Sequence, residues 1–143
     1  MDGRSFQEAV ESICARDARY AAEAYYFLRE ALDYTGKAVQ REQHRRPAGG
    51  PRHVTGAELC HGIREYALQE FGPLAFLVLT TWGLHKTEDF GEMVYTLIAA
   101  GKLGASENDK KSDFAAVYDF EEAFVQPYAV DEPPPARKRP RRG

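Results

Sequence analysis

The strongest constraint on this chain is a repeated helix start. Ser5-x-x-Glu8, Thr55-x-x-Glu58 and Asp119-x-x-Glu122 each set a short polar side chain three residues before a glutamate. At that spacing the first side chain accepts from a free N–H of the opening helical turn, and the glutamate can reach back to the cap backbone. Each start is followed by apolar residues at helical spacing. Glycines at 72, 83 and 101 then stand where those patterns stop, with Pro73 behind the first of them. A chain punctuated in this way is mainly α.

The first helix carries Phe6, Val10, Ile13 and Cys14 on one face. Asp17 is placed to cap a second, spanning about 18–40. Its stripe contains Tyr20, Ala24, Phe27, Leu28, Ala31, Leu32 and Tyr34-Thr35, widened by Tyr25 and Tyr26. A third helix runs from Thr55 to about Phe71, with Leu59, Ile63, Tyr66, Ala67 and Phe71 inward. Gly72-Pro73 ends it and starts the next, because proline is tolerated at a first helical position. Leu74, Phe76, Leu77, Val78, Leu79 and Trp82 make that next helix apolar nearly all round, which predicts a central position. Thr87 is placed to cap the following helix, where Phe90, Met93, Val94, Leu97 and Ile98 keep regular spacing. A short apolar element near Leu103, a polar loop and a short helix from Asp119 to near Phe124 complete the pattern.

These elements predict a helical hairpin in residues 1–42, a basic flexible linker in 43–53, a second module in 54–126 and a Pro-rich basic tail in 127–143. In "REQHRRPAGGPRH", Pro47, Gly49, Gly50 and Pro51 oppose helix. The second module fits a winged helix-turn-helix in outline. A helical bundle without a wing explains the same pattern.

The 143 residues carry a formal net charge of −3, unevenly distributed. Residues 54–132 hold five Lys/Arg against fourteen Asp/Glu, a net of −9. The final "ARKRPRRG" holds Arg137, Lys138, Arg139, Arg141 and Arg142 with no acid, and the stretch from Arg41 to His53 holds Arg41, Arg45, Arg46 and Arg52 against one glutamate. Clustered arginines suit RNA or another acidic surface, a solvated solubilising tail explains the same run, and Arg45, Arg46 and Arg52 could extend the basic surface. The tail is expected to be disordered when free.

The corner His85, Lys86, Glu88, Asp89 and Glu92 invites two sharper readings. His85, Asp89 and Glu92 are weak candidates for a metal site, but no CxxC or HExxH spacing supports it. Acids in a first helical turn more simply complement its positive end. DNA recognition through the helix after the turn is disfavoured, because that helix offers three acids and no Arg, Lys, Asn or Gln. His85, Lys86, Glu88 and Asp89 are instead candidates for contacting a protein.

Cys14 and Cys60 form no CxxC pair and read as buried reduced thiols. His61 reads as solvent-facing. No nucleophile elbow, phosphate loop or dinucleotide fingerprint is present, and no cofactor is called for. "MDGRSFQEAVES" lacks the apolar core of a secretory signal, and no apolar run approaches the roughly 20 residues that span a bilayer. The expected location is cytoplasmic.

Three stretches, "HVTGAELCHGIREYALQEFGPLA", "WGLHKTEDFGEMVYTLIAAGKL" and "YDFEEAF", resemble a family of small uncharacterised bacterial proteins with HVTGxELxxGIREYA, WGxxxTEDFGE and YDFxEAF motifs. "DARYAAEAYYFLREALDYT" is similar to that family's opening helix, which often has proline where Ala22 stands here. The resemblance covers about residues 6–125, leaving out the linker and tail. It implies a bacterial cytoplasmic protein and no particular activity. The sequence thus leads to a non-enzymatic interaction protein: an acidic helical body for a protein partner, and a basic tail for RNA or a ribonucleoprotein. The alternatives are a DNA-binding regulator using the tail and linker arginines, and a small metal-dependent enzyme at the His85/Asp89 corner.

Overall fold

The computed structural model describes residues 5–45, 54–104 and 110–129, with only the backbone described for 43–45. Among them the chain forms helices and turns, with no strand. The mainly α class therefore stands, and no strand of a wing is seen among the described residues after the fifth helix.

Helix α1 (Phe6–Arg16) opens on the full Ser5–Glu8 box: the Glu8 N–H donates to Ser5 Oγ and the Ser5 N–H to Glu8 Oε1, both at 3.1 Å. Ala9, Val10 and Ile13 are its buried face. Helix α2 spans Ala22–Arg45. It starts four residues later than expected because Asp17 does not cap it. Asp17 instead ends α1, and its carboxylate accepts from the Arg19 N–H at 3.1 Å and the Arg19 guanidinium at 2.9 Å. The Ala21 N–H donates to the Trp82 carbonyl at 3.1 Å. Residues 17–21 are thus an ordered strap laid against the later turn. At its other end α2 runs past 40 into the expected linker.

Helix α3 (Gly56–Phe71) carries the second full box, on Thr55 and Glu58. Its pairing with α2 is the most extensive in the molecule. The approach is close because Gly62 has no side chain: a Cβ there would overlap the Thr35 hydroxyl. Gly72, at φ +55°, ends α3, and a 3-10 turn (Gly72–Leu74) leads into α4 (Ala75–Thr81).

Helix α4 is not the central helix that its composition predicted. Ala75 and Leu79 are buried, while Leu74 and Leu77 are each 60% exposed. α4 has only seven residues and packs mainly against α3 and α6, and the face that carries Leu77 is left exposed.

Gly83, at φ +96°, turns the chain, with the Leu84 N–H returning to the Leu79 carbonyl. Helix α5 (Thr87–Ala99) buries Phe90, Met93, Val94 and Leu97, as its spacing predicts. Gly101, at φ +76°, ends it. A 3-10 turn (Lys111–Phe114) lies against α5 and α3. Helix α6 (Phe120–Phe124) opens on Asp119, whose carboxylate accepts from the Glu121 and Glu122 N–H groups.

One hydrophobic cluster runs from Val10 in α1 to Phe124 in α6. The hairpin and the later helices therefore share a core. Phe27 brings Tyr66, Phe71 and Trp82 together at centroid distances of 5.5–5.8 Å. Phe120 stacks on Phe90 and meets Phe124 edge-on.

Candidate functional site

The corner between α4 and α5 is built around Asp89. The first N–H groups of a helix have no partner inside it, so α5 needs an acceptor at its start. Thr87 does not provide it, contrary to the sequence expectation. Asp89 does: its Oδ2 accepts from the His85 N–H at 2.8 Å and the Lys86 N–H at 3.2 Å. Its Oδ1 accepts from the Tyr20 hydroxyl at 2.8 Å. Burial, and then the bond to the Asp89 carboxylate, push Tyr20 above the usual phenol range and keep it a donor. Asp89 is therefore a buried cap that ties α5 to the strap before α2.

Thr87 is wholly buried and works as a second tie. Its hydroxyl donates to the Phe114 carbonyl at 2.7 Å and accepts from the Val117 N–H at 3.1 Å. Glu88 accepts from the Ala116 N–H at 3.0 Å, beside the left-handed Ala116 at φ +48°. Glu92 meets Arg19 at 3.4 Å and Lys111 at 3.5 Å. These ion pairs are half-exposed and worth little in stability. The three acids of the corner thus tie it to the strap before α2, through Asp89 and Glu92, and to the segment 111–116, through Glu88 and Glu92.

For metal binding, the corner does not converge. Asp89 already accepts from three donors, Glu88 holds a different loop, Glu92 faces Arg19 and Lys111, and His85 is exposed. Among the described residues no group of three or more His, Cys, Asp or Glu is placed to hold a metal ion. For nucleic acid, the described face of α5 remains acidic. Of the four protein-contact candidates, His85 and Lys86 present exposed side chains, whereas Glu88 and Asp89 have architectural duties.

Cys60 is fully buried, and burial, with a smaller effect from Glu88, pushes its thiol up to about 12. Cys14 is half-buried; burial first, then the charges of Asp17 and Glu23, raise its thiol as well. Neither thiol is activated. His61 is exposed, as expected, with its ring 5.9 Å from that of Tyr118. The Tyr118 hydroxyl donates to the Cys60 carbonyl at 2.7 Å.

Of the basic candidates, Arg46, Arg52, Arg137, Lys138, Arg139, Arg141 and Arg142 lie outside the described residues. Arg45 is described only as the last helical residue of α2.

Two features were missed in the sequence. One is the exposure of Leu74 and Leu77, each at 60%, before and on α4; Val125 at 38% and Tyr128 at 44%, after α6, are the other exposed large apolar side chains among the described residues. A seven-residue helix has too few neighbours to be covered all round, and its length between Pro73 and Gly83 was the available signal. The other is a cavity between α2, α3 and α5, which no local pattern announces. No helix among the described residues is long and apolar enough to cross a membrane. No protein-family model, curated protein or solved structure matches this chain.

Proposed function

We propose that this is a non-enzymatic interaction protein of the bacterial cytoplasm. Its acidic helical body binds a protein partner through α4, and its basic C-terminal segment binds RNA or a ribonucleoprotein. The observation that carries the reading is the exposure of Leu74 and Leu77 on a helix whose other face is fixed in the core. Two large apolar side chains at such exposure, three residues apart at the start of α4, are typical of a contact surface. The conspicuous acids of the corner support the same conclusion by exclusion, since Asp89 and Glu88 bond to the backbone of the turn and of a distant loop, and Glu92 faces Arg19 and Lys111. The five cations of "ARKRPRRG" supply the charge that RNA attracts.

The test is affinity purification of the full chain from its native cells, with and without ribonuclease. Leu74→Glu/Leu77→Glu removes the protein partner in this reading and leaves bound RNA in place. Deletion of residues 133–143 removes the RNA and leaves the protein partner. Recovery of the same protein and RNA from all three chains overturns the proposal.

A further inference from the structure

A cavity of about 360 Å³ lies between α2, α3 and α5, away from α4 and the corner. Its walls are mainly apolar, with Leu32, Leu59, Val94, Ile98, Leu103 and Phe114, and Thr55 and Tyr95 add polar groups. The volume falls in the range of small-molecule sites. Lys110, on an exposed residue, is the one cation among the described lining residues. Asp113, the one carboxylate of that lining, turns an oxygen to the Lys110 backbone N–H at 3.3 Å.

Gly36 gives the cavity meaning. It sits inside α2, where glycine is unfavourable relative to alanine. The other glycines of the helical packing have a visible cause. Gly62 is pressed on Thr35, Gly91 on Phe114, and Gly56 on Asp113 and Phe114. Gly36 has none: its φ is ordinary, and a Cβ built there meets nothing within 4 Å. The space that a side chain would enter is the cavity, of which Gly36 is part of the wall. Gly104, on the same lining, is likewise open.

The geometry points to a binding site for a small aliphatic carboxylic acid. Its chain would lie along Leu32, Leu59, Val94 and Ile98, past Gly36, and its carboxylate would meet the Lys110 ammonium at the mouth. Burial of the chain supplies affinity, and Lys110, the one cation among the described lining residues, selects the anionic head. This site does not depend on the proposed protein and RNA contacts.

The probe is decanoate, titrated below its micelle-forming concentration into the full chain and followed by amide chemical shifts. Saturable shifts at Gly36, Val94 and Ile98 are expected. Lys110→Gln weakens binding roughly tenfold, the loss of one charge-assisted contact. Gly36→Leu and Gly104→Leu each fill the cavity and abolish the shifts, with helix content by circular dichroism unchanged in both. Absence of saturable shifts in the natural chain overturns the site, as does unchanged affinity in both leucine variants. Equal affinity for decanol overturns the carboxylic acid as its ligand.

Discussion

The Tyr20 hydroxyl donates to the Asp89 carboxylate across 69 residues of chain, at 2.8 Å and out of contact with solvent. It joins the strap before α2 to the first turn of α5. Tyr20→Phe keeps the ring and removes this donor, leaving a buried carboxylate oxygen short of a partner. The expected loss is about 1.5–3 kcal/mol, as for a hydrogen bond to a charged group. Asp89→Ala also removes the helix cap and costs more, about 2–4 kcal/mol. Urea denaturation of the two variants and their double mutant measures the coupling. Strictly additive effects would show that the bond contributes nothing.

Thr87 offers a second single-atom test. Thr87→Val preserves shape but leaves the Phe114 carbonyl and the Val117 N–H without their partner. A loss of about 2–3 kcal/mol is expected for these buried groups. Thr87→Ser keeps both bonds and should lose about 1 kcal/mol, one methyl group's worth of burial. Amide exchange at Val117 should accelerate in the valine variant and much less in the serine variant.

Two glycines in the α2–α3 region should respond in opposite directions. Gly36→Ala adds a methyl into open space within a helix and is expected to raise stability by about 0.5–1 kcal/mol. Gly62→Ala drives a methyl into the Thr35 hydroxyl, which is itself held by the Ala31 carbonyl at 2.7 Å. A loss of about 2–4 kcal/mol is expected, since neither helix can shift without disturbing the core. Thr35→Ala should recover only part of it, because the Thr35 Cβ is itself within 2.7 Å of the added carbon. Thermal melts of the four proteins decide the matter.

Alkali should destabilise the protein well before it reaches the native-state pKa values. Burial raises Cys60, Tyr25 and Tyr66 to about 12 from ordinary values of 9.0 for the thiol and 10.0 for the phenols. Tyr118 and Tyr20 are also raised, by burial first. The unfolded chain loses these protons first as pH rises, while the folded chain retains them. Their contribution to stability is therefore complete below about pH 9 and declines from there to about pH 12. The urea midpoint should fall between pH 9 and 11, and Cys60→Ala should make the fall shallower. A flat midpoint over that interval would contradict the burial seen for these groups.

The sequence was most legible where the cause is local. Ser5 with Glu8, Thr55 with Glu58, and Asp119 each cap the helix their spacing predicts, because donor and acceptor lie within one turn. Gly72, Gly83 and Gly101 end helices at positive φ for a reason confined to their own backbone. Legibility failed where a side chain has a distant alternative. Asp17 had a capping position and took Arg19 instead, while the Ala21 N–H found Trp82. Thr87 had a capping position and took Phe114 and Val117, which left the cap to Asp89. The corner was correctly singled out as unusual, but its acids were legible only as charges. Their partners, Tyr20 and Ala116, are 69 and 28 residues away. The apolar run of α4 was visible, whereas its exposure depends on which neighbours reach it.

The clasp between Tyr20 and Asp89 also bears on the order of events at the ribosome. At roughly 5–20 residues per second, the partner of Tyr20 is made about 3–14 seconds after Tyr20 itself. The closing aromatics of the core, Phe120 and Phe124, follow later still. Until α3 is made the apolar faces of α1 and α2 have only each other to cover them, and until α5 follows the shared core is incomplete. The α1–α2 hairpin, made before the helices that cover it, is thus among the last parts of the core to be finished, and a nascent chain stalled before α5 would present core side chains to chaperones.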